Sequence, residues 1–543
     1  MSLVKNQEIQ LNIEGYTAEG SGVGHYDGMA VFVAGAAVGD TVLAHIIKTK
    51  KTYAVAVVKD IIEPSGDRIP VDCPQFRSCG GCAYRHISYE AEKGLKKNRV
   101  KDAFLRIAHM NIPVEEIITG NAERYRNKAQ YPVGFNSKGE ISIGFYANKS
   151  HRIINSPDCI LQPSEFAHIV ETVKIWMTEY GVLPYNGETG KGLVRHIYIR
   201  KAFKTGQIMV CLVINGSEIP YEDKLCEAVS KISGVKSFVI NENRDKTNVI
   251  LGKGCKTLWG EDYIEDILCG VRVRLSPLSF YQVNHDMAEK LYQKAAEFAD
   301  LKGTETVLDL YCGTGTIGLS MAKKARKIYG AEIVPQAIEN AKENARLNNI
   351  ENAEFFCGDA ADAAKRFRDT GIKPDVVLLD PPRKGCDEAV LSTVAEMNPE
   401  KIVYVSCDCA TLARDVQRLS ALGYTSTRLA AADLFPRTAH VETVVQLVRK
   451  KPDTYIDITV DMDELDLTSS EARATYEEIK DYIFDKYRVK ISSLYIAQVK
   501  QKHGIIERDC YNNSKKDNPK QPQCPPEKVK LIEEALRHFK MIP

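Results

Sequence analysis

The alternation of apolar and polar positions along this chain of 543 residues falls into four regimes. Residues 5 to about 62 alternate apolar and polar positions, with frequent glycine breaking up runs such as Met29-Ala30-Val31-Phe32-Val33 and Thr41-Val42-Leu43-Ala44-His45-Ile46-Ile47. Short strands with regular turn signals predict a small β-barrel. Tyr89 to Met110 reads as a basic helix carrying Lys93, Lys96, Lys97, Arg99, Lys101 and Arg106. From Thr119 to about Leu275, strand-like runs such as Arg195–Arg200 and Gln207–Ile214 alternate with helical segments, which predicts an α+β region. Between 276 and 450 the pattern becomes strand, turn, helix, repeated, as in an open α/β sheet. Beyond 451, Asp453 to Asp485 is acidic. Helices are predicted over Ser469–Tyr487 and Ser492–His503, with polar caps and Gly504 closing the second. Pro519–Pro526 reads as a loop and Glu527–Phe539 as an amphipathic helix. The expected domains are therefore 1–62, 63–275, 276–450 and 451–543.

Formal net charge is +1, so any binding of nucleic acid has to come from local basic faces. Met1-Ser2-Leu3-Val4-Lys5-Asn6 has no apolar signal core and no stretch is apolar enough to span a membrane. Fifteen cysteines in such a chain point to thiols, metal ligands or catalysis in a reducing compartment rather than to disulfides, and a cytoplasmic location is expected. Lys48, Lys50 and Lys51 cluster at a turn followed by Tyr53. Basic and aromatic groups on a small barrel suit RNA, and this segment resembles a TRAM domain, an RNA-binding barrel with an OB-like build. The basic helix and the following Arg124, Arg126 and Lys128 extend the expected phosphate-contacting surface.

Cys73, Cys79 and Cys82 form a C-x5-C-x2-C arrangement with glycines between the last two. Three thiolates call for a fourth ligand, and Cys159 is the next cysteine along. An all-sulfur set suits structural zinc or an iron–sulfur cluster, and spacing alone does not choose. Zinc knuckles more often show two C-x2-C units, which favours a cluster. The C-x3-C-x2-C spacing of radical enzymes is absent.

Thr306-Val307-Leu308-Asp309-Leu310-Tyr311-Cys312-Gly313-Thr314-Gly315-Thr316-Ile317-Gly318 reads as strand, glycine turn and helix. Glycines at 313, 315 and 318 let backbone approach a ligand closely, as in a nucleotide-binding first turn. The next strand ends in Glu332, placed to bond ribose hydroxyls, and the third in Asp359, suited to adenine. The fourth ends in Asp380-Pro381-Pro382-Arg383. This series of strand-end motifs resembles a Rossmann-like class I S-adenosylmethionine-dependent methyltransferase, and a dehydrogenase has no need of the D-P-P turn.

Methylation of exocyclic amines places an aromatic after D-P-P, whereas Arg383 and Lys384 stand here. Carbon methylation is the alternative. Uracil C5 is a poor nucleophile until a thiolate adds to C6, and a base then has to remove the C5 proton. Cys407, at the strand-to-helix turn of Tyr404-Val405-Ser406-Cys407-Asp408-Cys409, can supply the thiolate. Such a site should lower the thiol pKa from about 8.5, helped by the amide dipoles of the following helix. Glu442 is a candidate base, with His440 its rival.

Phe280-Tyr281-Gln282-Val283-Asn284, L-D-L-Y-C-G at 308–313, D-P-P-R-K-G at 380–385, S-C-x-x-A-T-L-A-R-D from Ser406 and F-P-x-T-x-H-V-E-T from Phe435 resemble the RNA uracil-C5 methyltransferase family (TrmA/RumA type). The likeness covers roughly residues 1–450 and is greatest to the iron–sulfur, ribosomal-RNA branch. It implies Cys407 as nucleophile and Glu442 as base, with a [4Fe-4S] cluster on Cys73, Cys79, Cys82 and Cys159. It also implies S-adenosyl-L-methionine contacts from Gln282, Tyr311, Glu332 and Asp380, to which the glycine turn adds Gly313 and the third strand end Asp359. RNA is the expected partner, ribosomal first and transfer RNA second, with no membrane or DNA. An RNA cytosine-C5 methyltransferase and a non-catalytic RNA-binding or assembly protein are the alternatives. One departure stands out: the family usually has Asn-Pro after the nucleophile, and this chain has Asp408-Cys409, a second thiol that is a rival nucleophile. The tail from 451 lies outside the shared motifs.

Overall fold

Strict alternation puts every second side chain of a strand on one face. In Glu8–Asn12 it buries Ile9 and Leu11 and leaves Glu8, Gln10 and Asn12 exposed. The computed structural model describes residues 3–148, 150–450, 474–505 and 523–542. At its N-terminus six strands curl around Leu11, Val31, Val33, Val42 and Ile46, in the order Glu8–Asn12, Thr41–Thr49, Tyr53–Glu63, Met29–Ala34, Gly22–Tyr26 and Gly15–Tyr16.

The central α+β layer is a seven-stranded sheet running Ile153–Asn155, Ile141–Tyr146, Lys128–Phe135, Val194–Lys201, Ile208–Ile214, Val235–Glu242 and Gly254–Gly260. Helices Glu165–Glu179 and Glu222–Ser230 fill its core with Phe166, Ile169, Val173, Leu225 and Val229. Asp266 ties this layer to the segment around Tyr281. Fully buried, it accepts the Phe203 and Lys204 amides at 3.1 and 2.9 Å and the Tyr281 hydroxyl at 3.0 Å.

The third layer is an eight-stranded sheet ordered Ala353–Cys357, Lys327–Glu332, Thr306–Leu310, Val376–Leu379, Lys401–Ser406, Glu442–Arg449, Tyr424–Ala432 and Ile117–Ile118. The first five strands are mutually parallel, and Glu442–Arg449 runs antiparallel to both its neighbours. Parallel strands covered on both faces read as continuous apolar runs, which is why Val376–Leu379 is buried throughout. Val376, Leu378, Val403 and Val405 enter one core cluster, and Val377, Leu379, Ile402 and Tyr404 the opposite one.

The second of those clusters corrects the sequence reading in two ways. Residues 89–118, expected to open the central region, are built onto the eight-stranded sheet. Val100, Phe104 and Ala108 pack against Leu412 and Val416, and Ile117–Ile118 adds the edge strand. The helix runs Tyr89–Ala103 and ends in a wider turn at Phe104–Ala108. Its lysines and arginines, expected to form one phosphate-contacting face, divide between core and surface. Lys96 is buried between Glu92 and Asp433, and Arg99 donates to the Ala439 carbonyl at 2.6 Å. Lys101 and Arg106 are exposed.

Residues from Pro452 form a separate unit. Its described part has helices Tyr476–Tyr487, Ser493–Lys502 and Pro526–His538 around Ile479, Ile483, Ile496, Val499, Ile532 and Leu536. A reciprocal Thr475–Glu478 cap opens the helix that begins at Tyr476. Ser492 caps the second and Gly504 closes it at φ +77°. The predicted start at Ser469, the acidic stretch before residue 474 and the first half of the Pro519–Pro526 loop lie outside the described residues. Among the described residues no helix is long and apolar enough to cross a membrane.

Phe104→Ala should destabilise the unit that ends at Lys451 by about 3–5 kcal/mol, because it empties a fully buried aromatic site between the N-terminal helix and the sheet. A fall in the urea midpoint measures this. A change no larger than that of an exposed-site control would refute the docking of that helix.

Candidate active site

An open parallel sheet gathers its chemistry outside the carboxyl ends of its strands, and the sequence-predicted residues collect there. Asp309, buried at the end of the first strand, accepts the Gly318 amide at 3.1 Å. A Cβ at Gly318 would stand 2.9 Å from the Asp309 carboxylate, so the turn closes only with glycine. Tyr311 holds φ +66°, the left-handed backbone that a bulky residue adopts at a cost and that concentrates at functional sites. The Glu332 carboxylate is fixed by the Gly313 amide at 3.2 Å and the Val334 amide at 3.0 Å. Asp359 caps the helix Ala360–Asp369 with one oxygen, accepting from Ala361 at 2.9 Å, and is otherwise exposed. Gln282 is held from behind, its carbonyl accepting the Asn127 side-chain amide at 2.8 Å. Its own side chain meets buried Tyr292, which also feels Asp380. Gln282, Tyr311, Gly313, Glu332, Asp359 and Asp380 thus line one edge of the sheet.

Cys407 and Glu442 meet through strand register. Ser406 pairs with Thr443 in the antiparallel ladder, so Cys407, one residue on, comes beside Glu442, one residue back. The Ser406 hydroxyl accepts the Asp408 amide and donates to the Asp408 carbonyl, both at 3.1 Å, and so closes the turn around Cys407. Cys407 is half-buried and Glu442 is 5% exposed. Burial pushes Glu442 up to about 8, with the Asp380 charge adding and Arg383 opposing. Burial also carries Asp380 up to about 7, and Asp309 to about 8 with help from the Asp380 and Glu332 charges.

The expected lowering of the Cys407 pKa is not found. Burial and the Glu442 charge push the thiol up to about 11, against the pull of Arg383, which is within hydrogen-bond reach. The helix dipole does not rescue it, because Asp408 takes the first free amides for itself, from Ala410 at 2.9 Å and Thr411 at 3.1 Å. Cys409 is removed as a rival. It is 2% exposed, begins the helix Cys409–Ala421 and packs in the core, its sulfur 3.9 Å from the Arg99 carbonyl. His440, the rival of Glu442 as base, lies edge-on to Phe435 at 5.9 Å, and partial burial and the charges of Arg383 and Arg99 lower its pKa.

Three contributors were missed in the sequence. Arg383 is the cation at the thiol. Asp415, fully buried, holds Arg383's loop by accepting the Cys386 amide at 2.8 Å and the Tyr404 hydroxyl at 2.7 Å. Arg414 donates to the Lys384 carbonyl at 2.9 Å. The R-D that ends the motif from Ser406 was the available signal.

Cys73, Cys79, Cys82 and Cys159 are all partly buried, and burial raises the pKa of Cys79, Cys82 and Cys159, that of Cys82 to about 12. They act on one another electrostatically: Cys82 feels Cys159 and Cys79, and Cys159 feels Cys79 and Cys73. Arg124 secures the Cys159 turn through Asp158 at 2.5 Å and the Cys159 and Gln162 carbonyls. Yet among the described residues no three cysteine, histidine, aspartate or glutamate side chains converge to hold a metal ion. The sequence expectation of an assembled metal-binding group is not met. A single tetrahedral zinc, with bonds of about 2.3 Å, requires closer thiolates.

Residues 241–450 match the tRNA (Uracil-5-)-methyltransferase family and residues 4–59 the TRAM domain. An uncharacterized RNA methyltransferase of Clostridium tetani is 45% identical over 443 residues, 81% of this chain and 96% of that protein. One from Clostridium acetobutylicum is 44% identical, covering 82% and 98%. Among solved structures, the Pyrococcus abyssi tRNA (uracil-54, C5)-methyltransferase in complex with S-adenosyl-L-homocysteine matches 81% of this chain and 99% of its own, at 26% identity and a TM-score of 0.67. With its TRAM barrel, its class I sheet and this depth of likeness, the chain belongs to the tRNA (uracil-5-)-methyltransferase family of RNA methyltransferases.

Proposed function

We propose that this protein methylates C5 of uracil in RNA through a covalent adduct between Cys407 and uracil C6, with S-adenosyl-L-methionine as methyl donor. The register that brings Cys407 beside Glu442, with Asp380 and Arg383 at the same spot, carries this reading. Addition of the Cys407 thiolate forms a C6–S bond and moves the ring electrons to C5. C5 then takes the methyl group, and the sulfonium–methyl bond breaks to leave a neutral thioether. The Glu442 carboxylate removes the C5 proton, the C–H electrons restore the C5–C6 double bond, and the C6–S bond breaks to free the thiolate. A protonated Asp380, near its transition at neutral pH, can donate a hydrogen bond to the base edge. Gln282, Tyr311, Gly313, Glu332 and Asp359 bind the donor.

The raised values for Cys407 and Glu442 have a common origin. That origin is burial, and at Cys407 the Glu442 charge adds to it, so a neutral Glu442 lets the thiolate form and a charged one is needed only later, to take the C5 proton. Thiol-specific alkylation, corrected with Cys407→Ala, should therefore show a midpoint near 11 in the wild type. Glu442→Gln should lower it by removing a nearby negative charge, and Arg383→Gln should raise it by removing a positive one. A midpoint indifferent to both would separate these groups from the thiol.

Ribosomal RNA is the proposed target, on the strength of the four-cysteine set. Transfer RNA is the second reading, favoured by the Pyrococcus abyssi enzyme that the fold matches. Cys73, Cys79, Cys82 and Cys159 are proposed to hold a [4Fe-4S] cluster, which would supply a covalent crosslink between two loops; their mutual electrostatic influence supports it. Anaerobically purified protein should contain about four irons and four sulfides per chain. One zinc and no iron would remove the cluster.

Fluorine at C5 cannot be removed as a proton, so 5-fluorouridine-substituted RNA should leave a persistent protein–RNA adduct that requires the methyl donor. Cys407→Ala should abolish it. Cys409→Pro should not, since proline is tolerated at the first position of a helix. Comparing ribosomal and transfer RNA transcripts identifies the target. No adduct with any uracil-containing RNA would overturn the proposal.

A further inference from the structure

The loop Asp433–Val441, which delivers Glu442 to the site, has almost no regular structure of its own and is gripped by the N-terminal third of the chain. Lys96 reaches out of the helix Tyr89–Ala103 and places its ammonium 2.6 Å from Asp433 and 3.2 Å from the Phe435 carbonyl. Glu92, one turn earlier, accepts from Lys96 at 2.7 Å and also takes the Arg437 amide at 2.7 Å. Tyr89 donates to the second Asp433 oxygen at 2.9 Å. Lys96, Glu92 and Asp433 are 0–2% exposed, so these bonds are shielded from bulk solvent. The Ala83 and Tyr84 amides, directly after Cys82, both donate to the Arg437 carbonyl, at 2.8 and 3.1 Å. Arg437 is held at φ +69°.

We infer that Lys96, clamped between Glu92 and Asp433, is a positioning residue for the proton-abstracting step: it fixes the loop that carries Glu442 against Cys407. This rests on the covalent uracil mechanism proposed above. Buried charges of this kind are costly unless paired in good geometry, and their best-attested use is to select one arrangement over its competitors. Here the arrangement selected is that of a loop whose last residue has to meet a strand end in register. Thiolate addition at C6 draws on Cys407 and Arg383, which stand on other elements. The two chemical steps therefore depend on Lys96 to different extents.

That difference is the test. Lys96→Met keeps most of the stem and removes the charge; Tyr89→Phe removes only one hydrogen bond and leaves no buried charge unpaired. Both are measured in the full chain, with turnover on uridine RNA and adduct formation on 5-fluorouridine RNA. Lys96→Met should cut turnover by more than about 10-fold, part of what a general base contributes, and Tyr89→Phe by less. Adduct formation on the fluorinated RNA should persist in both, and a methylated covalent species should accumulate on ordinary RNA. A parallel loss of turnover and adduct in both variants, or no loss in either, overturns the positioning role. If Lys96→Met alone loses both because it does not fold, Tyr89→Phe decides between the two outcomes. No adduct in the wild type overturns the uracil mechanism and this assignment with it.

Discussion

One buried carboxylate makes the rest of the site geometrically feasible. Asp415 stands on the helix that follows the Cys407 turn, yet its hydrogen bonds go to the Cys386 amide and to Tyr404. It thereby fastens the D-P-P-R-K-G loop of one strand to the neighbouring strand and helix. Gly385, at φ +77°, has no side chain because a Cβ there would lie 2.4 Å from the Asp415 oxygen. With the loop so fastened, Arg383 faces the thiol, and the otherwise uniformly acidic surroundings of Cys407 gain their cation.

Electrostatics at this edge follows from that crowding. Asp309, Asp380 and Glu442 all have raised pKa values because they are buried, and at Asp309 and Glu442 the charge of Asp380 adds to the effect. Asp408, next to Cys407, consumes the amides that would have stabilised a thiolate. The protein's resting arrangement thus keeps the Cys407 thiol protonated. Under the proposed mechanism, substrate and positively charged donor would have to alter that balance before addition at C6.

Much of this was legible in the sequence because it depends on local rules. Alternation marked the barrel, and strand-end motifs marked the sheet edge where the residues from Tyr311 to Asp380 collect. Cys407 and Glu442 could be named separately. What joins them is the pairing of Ser406 with Thr443, a register that no local pattern encodes. Lys96 was misread for the same reason: on a helix written out alone it belongs to a basic stripe, and only its distant partner Asp433 shows it facing inward. Asp415 stood in the sequence only as the last letter of a motif, and Cys409 as a rival nucleophile until the docking of the N-terminal helix covered it.

That docking has a consequence for the order in which the molecule can be built. The edge strand Ile117–Ile118 and the apolar side chains of Val100 and Phe104 are synthesised long before the strand Tyr424–Ala432 and the helix Cys409–Ala421 that receive them. Such pairings have high contact order, and the loop closure they require slows folding. Until the last strands emerge, an early helix must wait with its apolar stripe uncovered. A catalytic half produced without that helix would, conversely, carry an open sheet edge and a bare hydrophobic face, the features that drive chains to pair with one another. The methyltransferase sheet is in this sense an assembly of both ends of the shared region, and evolution cannot shuffle it as a cassette without bringing along the segment before the central layer.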